Sequence, residues 1–303
     1  MKKHSLIAIL LGVLVLPLVI SCTKPDDGGS GNSNDPDTPI TPIDPINPIN
    51  PVDPNTPNEI WGVYNPGKKI KKMYKSSTYQ EKYLSEVWNW DGDLLESIDH
   101  YTSEGVFYDR KKFTYENHRL HRIETIFSVS GVETVEEYRV FDYENLQLKR
   151  INFYNHQDLL HGCITFAYEN GKLSKMECND GHRMDNRTFI WEGNNVVKMV
   201  HTTGYDDTII ACLEYDNKVN VLKGFLDCEI KDGIWGRGYK NTTNSMSLFD
   251  YGWYLDFCVS NNNVVKVHWS DDSEVDFAAY QYDSDGYPIR FSTEGISIFY
   301  EYE

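Results

Sequence analysis

From about residue 60 onward the chain repeats one pattern of apolar and polar positions. An aromatic residue marks position zero: Trp90, Tyr115, Tyr143, Tyr168, Trp191, Tyr215 and Tyr282. Two residues earlier stands another large apolar side chain: Trp88, Phe113, Phe141, Phe166, Phe189, Leu213 and Tyr280. Turn residues follow, among them Gly92, Asn170-Gly171, Asn194-Asn195 and Asp285-Gly286. Five residues after zero come Leu95, Leu120, Leu148, Leu173, Val196 and Tyr287. Alternation puts positions minus two and zero on one face of a strand. Asn-Gly between apolar runs accepts the positive φ of a tight hairpin turn. A two-residue turn then sets zero opposite plus five. The phrase predicts one β-hairpin: aromatic arm, tight turn, aliphatic arm.

The copies recur every 23 to 28 residues, apart from a gap of 44 after Tyr215. There "FCVSNNNVVKV" fits an eighth copy with Val259 at zero, and the gap leaves room for a degenerate copy or an insertion. At plus eight stand Ile98, Ile123, Ile151, Met176, Met199 and Val267. Plus five and plus eight differ by an odd number, so either both faces are partly covered or a bulge shifts the register. A lone hairpin is unstable, so the copies pair edge to edge. The expected fold is all-β: an antiparallel meander of roughly sixteen strands, which native twist curls into a spiral or a barrel-like sheet.

The N-terminal part has a different pattern. Lys2 and Lys3 precede an apolar run from Leu6 to Ile20, too short to span a membrane and placed as a secretion signal is. Residues 36 to 57 carry proline at every third position, eight times in a row. Polyproline II has three residues per turn, so the prolines share one edge while Ile40, Ile43, Ile46, Ile49 and Val52 share another. At ~3.1 Å per residue the segment reaches on the order of 65–70 Å, a stiff spacer whose apolar edge would also suit docking. The organisation read here is a signal peptide over 1–21, a linker over 22–58 and a β-hairpin domain over 59–303.

A net charge of −17 on 303 residues, with no basic stripe, argues against nucleic acid and anionic lipid as partners. Five cysteines follow Cys22: Cys163, Cys178, Cys212, Cys228 and Cys258. They form no CxxC and no zinc-ligand spacing. An unshifted register from the Asn170-Gly171 turn would put Cys163 opposite Cys178, at ~5.5 Å between Cα atoms and within disulfide range. His118 and His121 alternate across a strand, and His156 and His161 lack a carboxylate pattern, so no metal and no cofactor is expected. There is no HExxH, no GxSxG and no phosphate loop. The chain reads as non-catalytic. Membrane insertion is disfavoured, since the arms look shorter than ~9–11 residues and carry charges throughout.

Residues 224–254 break the rhythm and hold Trp235, Tyr239, Asn241, Asn244, Tyr251 and Trp253. Rings beside amides suit a sugar surface, and a covering loop would use the same residues.

Several stretches resemble known families. "VISC" ending at Cys22 resembles a bacterial lipobox, which implies cleavage before Cys22, lipidation of its thiol and a membrane anchor. "TKPDDGG" after it resembles the surface-export signal of Bacteroidetes lipoproteins, which implies an outer-membrane, outward-facing location. "DTI" at 207–209 resembles the O-glycosylation acceptor of that group, which implies a glycan on Thr208. "YENGKL" and "YDSDGYPIRF" resemble the YD repeats of RHS-type proteins. Taken together, the chain resembles an uncharacterised family of Bacteroidetes lipoproteins whose domain has been likened to a porin-like meander. The function this implies is a cell-surface scaffold or binding module, its partner a surface protein or a glycan. The alternative is a glycan-binding accessory protein of a polysaccharide-uptake system.

Overall fold

A computed structural model describes residues 62–129, 131–179, 184–202, 208–226, 258–269, 274–276, 278–293 and 295–303. The early strands are β1 (Ile70–Ser77), β2 (Gln80–Asp91), β3 (Leu94–Tyr101), β4 (Phe107–Glu116), β5 (Arg119–Val129) and β6 (Val132–Glu144). Next come β7 (Gln147–Asn155), β8 (Leu160–Glu169), β9 (Lys172–Asn179), β10 (Met184–Glu192), β11 (Asn195–Thr202) and β12 (Thr208–Tyr215). The last are β13 (Val264–Trp269), β14 (Glu274–Asp276), β15 (Ala279–Tyr282), β16 (Pro288–Thr293) and β17 (Ile296–Tyr302).

All seventeen lie in one antiparallel sheet, and β1 pairs with both β2 and β17, so the sheet curls into a nearly closed barrel. β14 pairs with β13, and β15 with β16. Between them Ala278 still donates its N–H to the Val265 carbonyl on β13. The two segments therefore fill one strand place, and the barrel has sixteen places around its wall. The meander is as expected, and near closure removes most of the sheet edge that an open curl would expose.

Five tight-turn hairpins obey one register. Position zero faces plus five in Trp90–Leu95, Tyr115–Leu120, Tyr143–Leu148, Tyr168–Leu173 and Trp191–Val196. The residue after plus five is then skipped, so that minus two faces plus eight in Trp88–Ile98, Phe113–Ile123, Phe141–Ile151, Phe166–Met176 and Phe189–Met199. The odd spacing is thus a β-bulge, at Glu96, His121, Lys149, Ser174 and Val197. It turns both aliphatic positions inward: Leu148, Ile151, Val196 and Met199 are all fully buried. The turns that open these hairpins need positive φ. Asn117-His118, Asn145-Leu146 and Asn170-Gly171 have it at both residues, whereas Gly92 and Gly193 have it at the first.

Three expectations are corrected. The bulge at Ser174 puts Cys163 opposite Asn179 and Cys178 opposite Ile164. The two cysteines therefore lie on opposite faces of the sheet, as thiols. Val259 is not the zero of a hairpin. Tyr215 pairs with Val264, so residues 216–263 are an insertion in the turn of that hairpin. Tyr282 faces Pro288 rather than Tyr287, because its loop is longer and Ile289 is the bulged residue.

The eighth hairpin is built from the two ends of the barrel domain. Tyr302 faces Ile70, Lys71 is bulged out, and Tyr300 faces Met73. β17 supplies the aromatic arm and β1 the aliphatic arm, with no turn between them. The arms, at 8 to 13 residues in β1–β9, are also longer than their alternation suggested, because the bulges interrupt it.

Candidate functional site

The zero position is always Tyr or Trp, and its polar atom explains why. Tyr115 Oη donates to the Leu95 carbonyl at 2.9 Å, Tyr143 Oη to Leu120 at 2.7 Å and Tyr168 Oη to Leu148 at 2.8 Å. Trp191 Nε1 reaches Leu173 at 2.7 Å, Tyr215 Oη reaches Val196 at 2.6 Å and Trp90 Nε1 reaches Ile70 at 2.8 Å. Tyr302 Oη completes the set on Pro288 at 2.6 Å. Each acceptor is the residue that faces position zero in the preceding hairpin. These bonds tie each hairpin to its neighbour at the carbonyl beside the bulge, and each contributes ~1 kcal/mol. Burial raises the pKa of Tyr115, Tyr143 and Tyr168 well above that of a free phenol, so they remain donors. The step is altered only at Tyr282, whose hydroxyl is held by Asp216 and Asn263 of the insertion.

The tight-turn mouth is plugged. Tyr64 stacks on Trp90 at 5.8 Å, and Phe225 packs on Tyr64, Trp88 and Phe113 at 5.1, 5.0 and 6.1 Å. Tyr64 Oη donates to the Val221 carbonyl at 2.9 Å. Gly62, at φ 83°, accepts from Leu120 N, and a Cβ there would lie 2.2 Å from the Tyr143 hydroxyl. Asparagines pin the insertion to the same mouth. Asn195 Oδ1 accepts from the backbone of Asn261 and Asn262, and Val196 N donates to Ser260 Oγ. A gap no larger than a water molecule between plug and wall is lined by Tyr64, Leu95, Phe113, Leu120 and Phe225.

Farther from the tight turns the inner face becomes ionic. In four copies position minus four is charged and buried, at Glu86, Lys111, Arg139 and Arg187, while three others bury Ile164, Ala211 and Ile298 there. Two residues before each cation, on the same face, is an acid: Asp109, Glu137 or Asp185. Arg139 Nη2 donates to Glu137 Oε1 at 3.1 Å, and Thr125 Oγ1 donates to the same oxygen at 3.4 Å. Glu86 accepts from Trp88 Nε1 at 3.0 Å and lies 3.4 Å from Lys75 Nζ. His100 Nδ1 contacts Asp109 Oδ1. His201 faces Arg187 across the ladder, with its Nε2 3.7 Å from Asp185 and without a hydrogen bond. Burial, then the Arg187 guanidinium, lowers the His201 pKa to about 4 against the pull of Asp185, so the imidazole is neutral at pH 7. Four cations, at 75, 111, 139 and 187, offset four carboxylates, at 86, 109, 137 and 185. Among the described residues no group of three or more His, Cys, Asp or Glu converges as a metal site would.

Sequence reasoning missed both zones. The signal for the first was that position zero never uses Phe while minus two does. The signal for the second was the acid-x-base triplet at Asp109–Lys111, Glu137–Arg139 and Asp185–Arg187. Of the residues singled out from sequence, Thr208 is exposed at the start of β12, opposite Thr202. His118 occupies a turn, and His121, a bulge residue, lies 3.4 Å from Glu116. Cys22, Trp235, Tyr239, Asn241, Asn244, Tyr251 and Trp253 lie outside the described residues, as do the signal peptide and the linker through residue 58.

No protein-family model matches the chain, and no curated protein matches it. Solved structures similar to it include two porin-like proteins. One is a porin-like protein from Bacteroides vulgatus ATCC 8482, 11% identical over 78% of this chain and 99% of that one, at a TM-score of 0.34. The other is a porin-like protein from Bacteroides uniformis ATCC 8492, 9% identical over 77% of this chain and 98% of that one, also at a TM-score of 0.34.

Proposed function

We propose that the chain is a non-catalytic cell-surface lipoprotein. In this reading cleavage before Cys22 leaves a lipidated anchor, residues 22–58 form a stiff tether, and the barrel serves as a scaffold or binding module at the outer membrane. The observation that carries it is how the barrel is filled. Rings pack the tight-turn half and close its mouth. The ionic groups of the other half are set against opposite charges on the same inner face. Hydrolytic chemistry would instead need a nucleophile or base turned toward a void with room for substrate. The outer wall supports an aqueous setting. Lys112, Glu116, Glu136, Glu144 and Lys149 are exposed on it, where a lipid-facing wall would carry an apolar band.

Palmitate labelling in the native cell tests the anchor. The chain should take up label, Cys22→Ala should not, and protease added to intact cells should remove the barrel. Unlabelled wild-type protein, or a barrel shielded from protease, would refute the reading.

A glycan-binding role has one support of its own. Gly224 N donates to the Cys258 carbonyl at 2.8 Å, so the described residues on either side of 227–257, the stretch that holds Trp235 and Trp253 in the sequence, meet at the plug. A glycan array with Trp235→Ala and Trp253→Ala tests it. Binding lost in both variants would support the role, and no binding to any polysaccharide would end it.

A further inference from the structure

We infer that the end of the barrel opposite the plug is a docking rim for a protein surface that is apolar at its centre and basic at its edge. Five successive hairpin tips at this end each expose a large apolar residue: Tyr79, Val106, Val132, Leu159 and Met184. Tyr79 is 98% exposed and Val132 63%. At the other end the five tight turns between β2 and β11 are polar, apart from Leu146.

The turns do not require these apolar residues. The backbone reverses at Gly105, Gly131 and Asp158, with φ of 75°, 80° and 60°. Val106, Val132 and Leu159 each come directly after the reversal, where a polar residue would satisfy the turn equally well. An apolar side chain left in water at five neighbouring tips adds nothing to the fold. It is what an interface uses as anchors.

The charges select the occupant. Glu81, Glu104, Glu133, Glu136 and Asp158 are exposed among the tips. Among the described residues the nearby cations are engaged: Lys82 Nζ lies over the rings of Tyr74 and Phe299 at 4.6 and 4.4 Å, and Arg110 is 2.6 Å from Asp99 through Nε and 3.5 Å from Glu133 through Nη1. The rim is therefore an arc of apolar tips in a negative field. An anionic lipid surface is repelled by it. A second copy docked rim to rim would set carboxylates against carboxylates. A protein patch with Lys or Arg around an apolar centre matches both features. Nine strand spacings of ~4.8 Å separate β1 from β10 along the wall, an arc of roughly 40 Å. That suits the ~800 Å² per partner of a stable interface.

The test uses the full chain and a leucine–lysine amphipathic helical peptide as the probe, read by fluorescence anisotropy. The parent should bind it, with an affinity that falls as salt rises. Tyr79→Ser with Val106→Ser and Val132→Ser should weaken binding about tenfold or more, with the circular dichroism spectrum unchanged. Glu104→Gln with Glu133→Gln and Glu136→Gln should flatten the salt dependence while the fold is kept. Hydrogen exchange should slow at the tips and not at the tight turns. The inference is overturned if the serine variant binds as well as the parent, or if protection falls on the tight turns. It is also overturned if phosphatidylcholine vesicles or self-association, rather than the peptide, respond to the serine changes.

Discussion

At the tight-turn end, Tyr64 and Phe225 lie among the rings of Trp88, Trp90 and Phe113, and two separate chain segments fill the mouth. At the loop end, Tyr79 is almost wholly in water and the inner wall behind it carries compensated charges. One repeat produces both ends, because its positions carry different duties. From minus two to plus eight, each residue is fixed by the turn, the bulge or the aromatic ladder. Beyond those positions the hairpin imposes only alternation, and the chain is free to place charges inside and apolar tips outside. The tight-turn end is therefore where stability resides, and the loop end is where substitutions should leave the fold intact.

The largest expected effect breaks the plug. Phe225→Ala should cost ~3–5 kcal/mol in urea unfolding, since it empties a site packed by three other rings. A cost no larger than that of a surface change would mean the plug is not part of the core.

His201 sharpens the contrast inside the barrel. Above pH 6.5 it is neutral whether folded or unfolded. Below that the unfolded chain takes up a proton, whereas the folded imidazole stays neutral to about 4, so stability should fall as pH drops through this window. His201→Gln should lose that part of the slope. An unchanged pH profile for the variant would mean the imidazole is protonated in the fold.

Tyr143→Phe keeps the ring and removes only the bond to the Leu120 carbonyl. It should cost ~1 kcal/mol, and thermal unfolding of the pair with Tyr168→Phe should show whether neighbouring ladder steps add. The smallest effect belongs to the rim: Tyr79→Ser should shift stability by no more than ~0.5 kcal/mol. A larger loss would show that the tips pack within this chain.

Much of the repeat was legible in the sequence. Zero opposite plus five follows from Asn170-Gly171 alone, and the buried minus-two ring follows from alternation. The bulge was not, because Glu96, His121, Lys149, Ser174 and Val197 share no chemistry: a bulged residue needs only to point away from the core. The eighth hairpin was hidden for another reason. Its arms, ending in Tyr302 and beginning at Ile70, are 232 residues apart and share no turn, so the "VSNNNVVKV" stretch drew the assignment instead. Those asparagines serve to pin the insertion to Asn195. The ionic inner face escaped notice because charge read along a strand suggests solvent. Alternation sets Arg139 on the face of Phe141, and the register shows that this face is the barrel interior.

Closure of the ring by the two ends of the barrel domain is the claim on which the rest stands, and cross-linking tests it most directly. Ser76 on β1 lies opposite Ser297 on β17. With both replaced by cysteine, mild oxidation should join them within one chain, giving a faster-migrating band on a denaturing gel that reductant removes. Failure to cross-link, or dimers alone at low protein concentration, would contradict the nearly closed barrel.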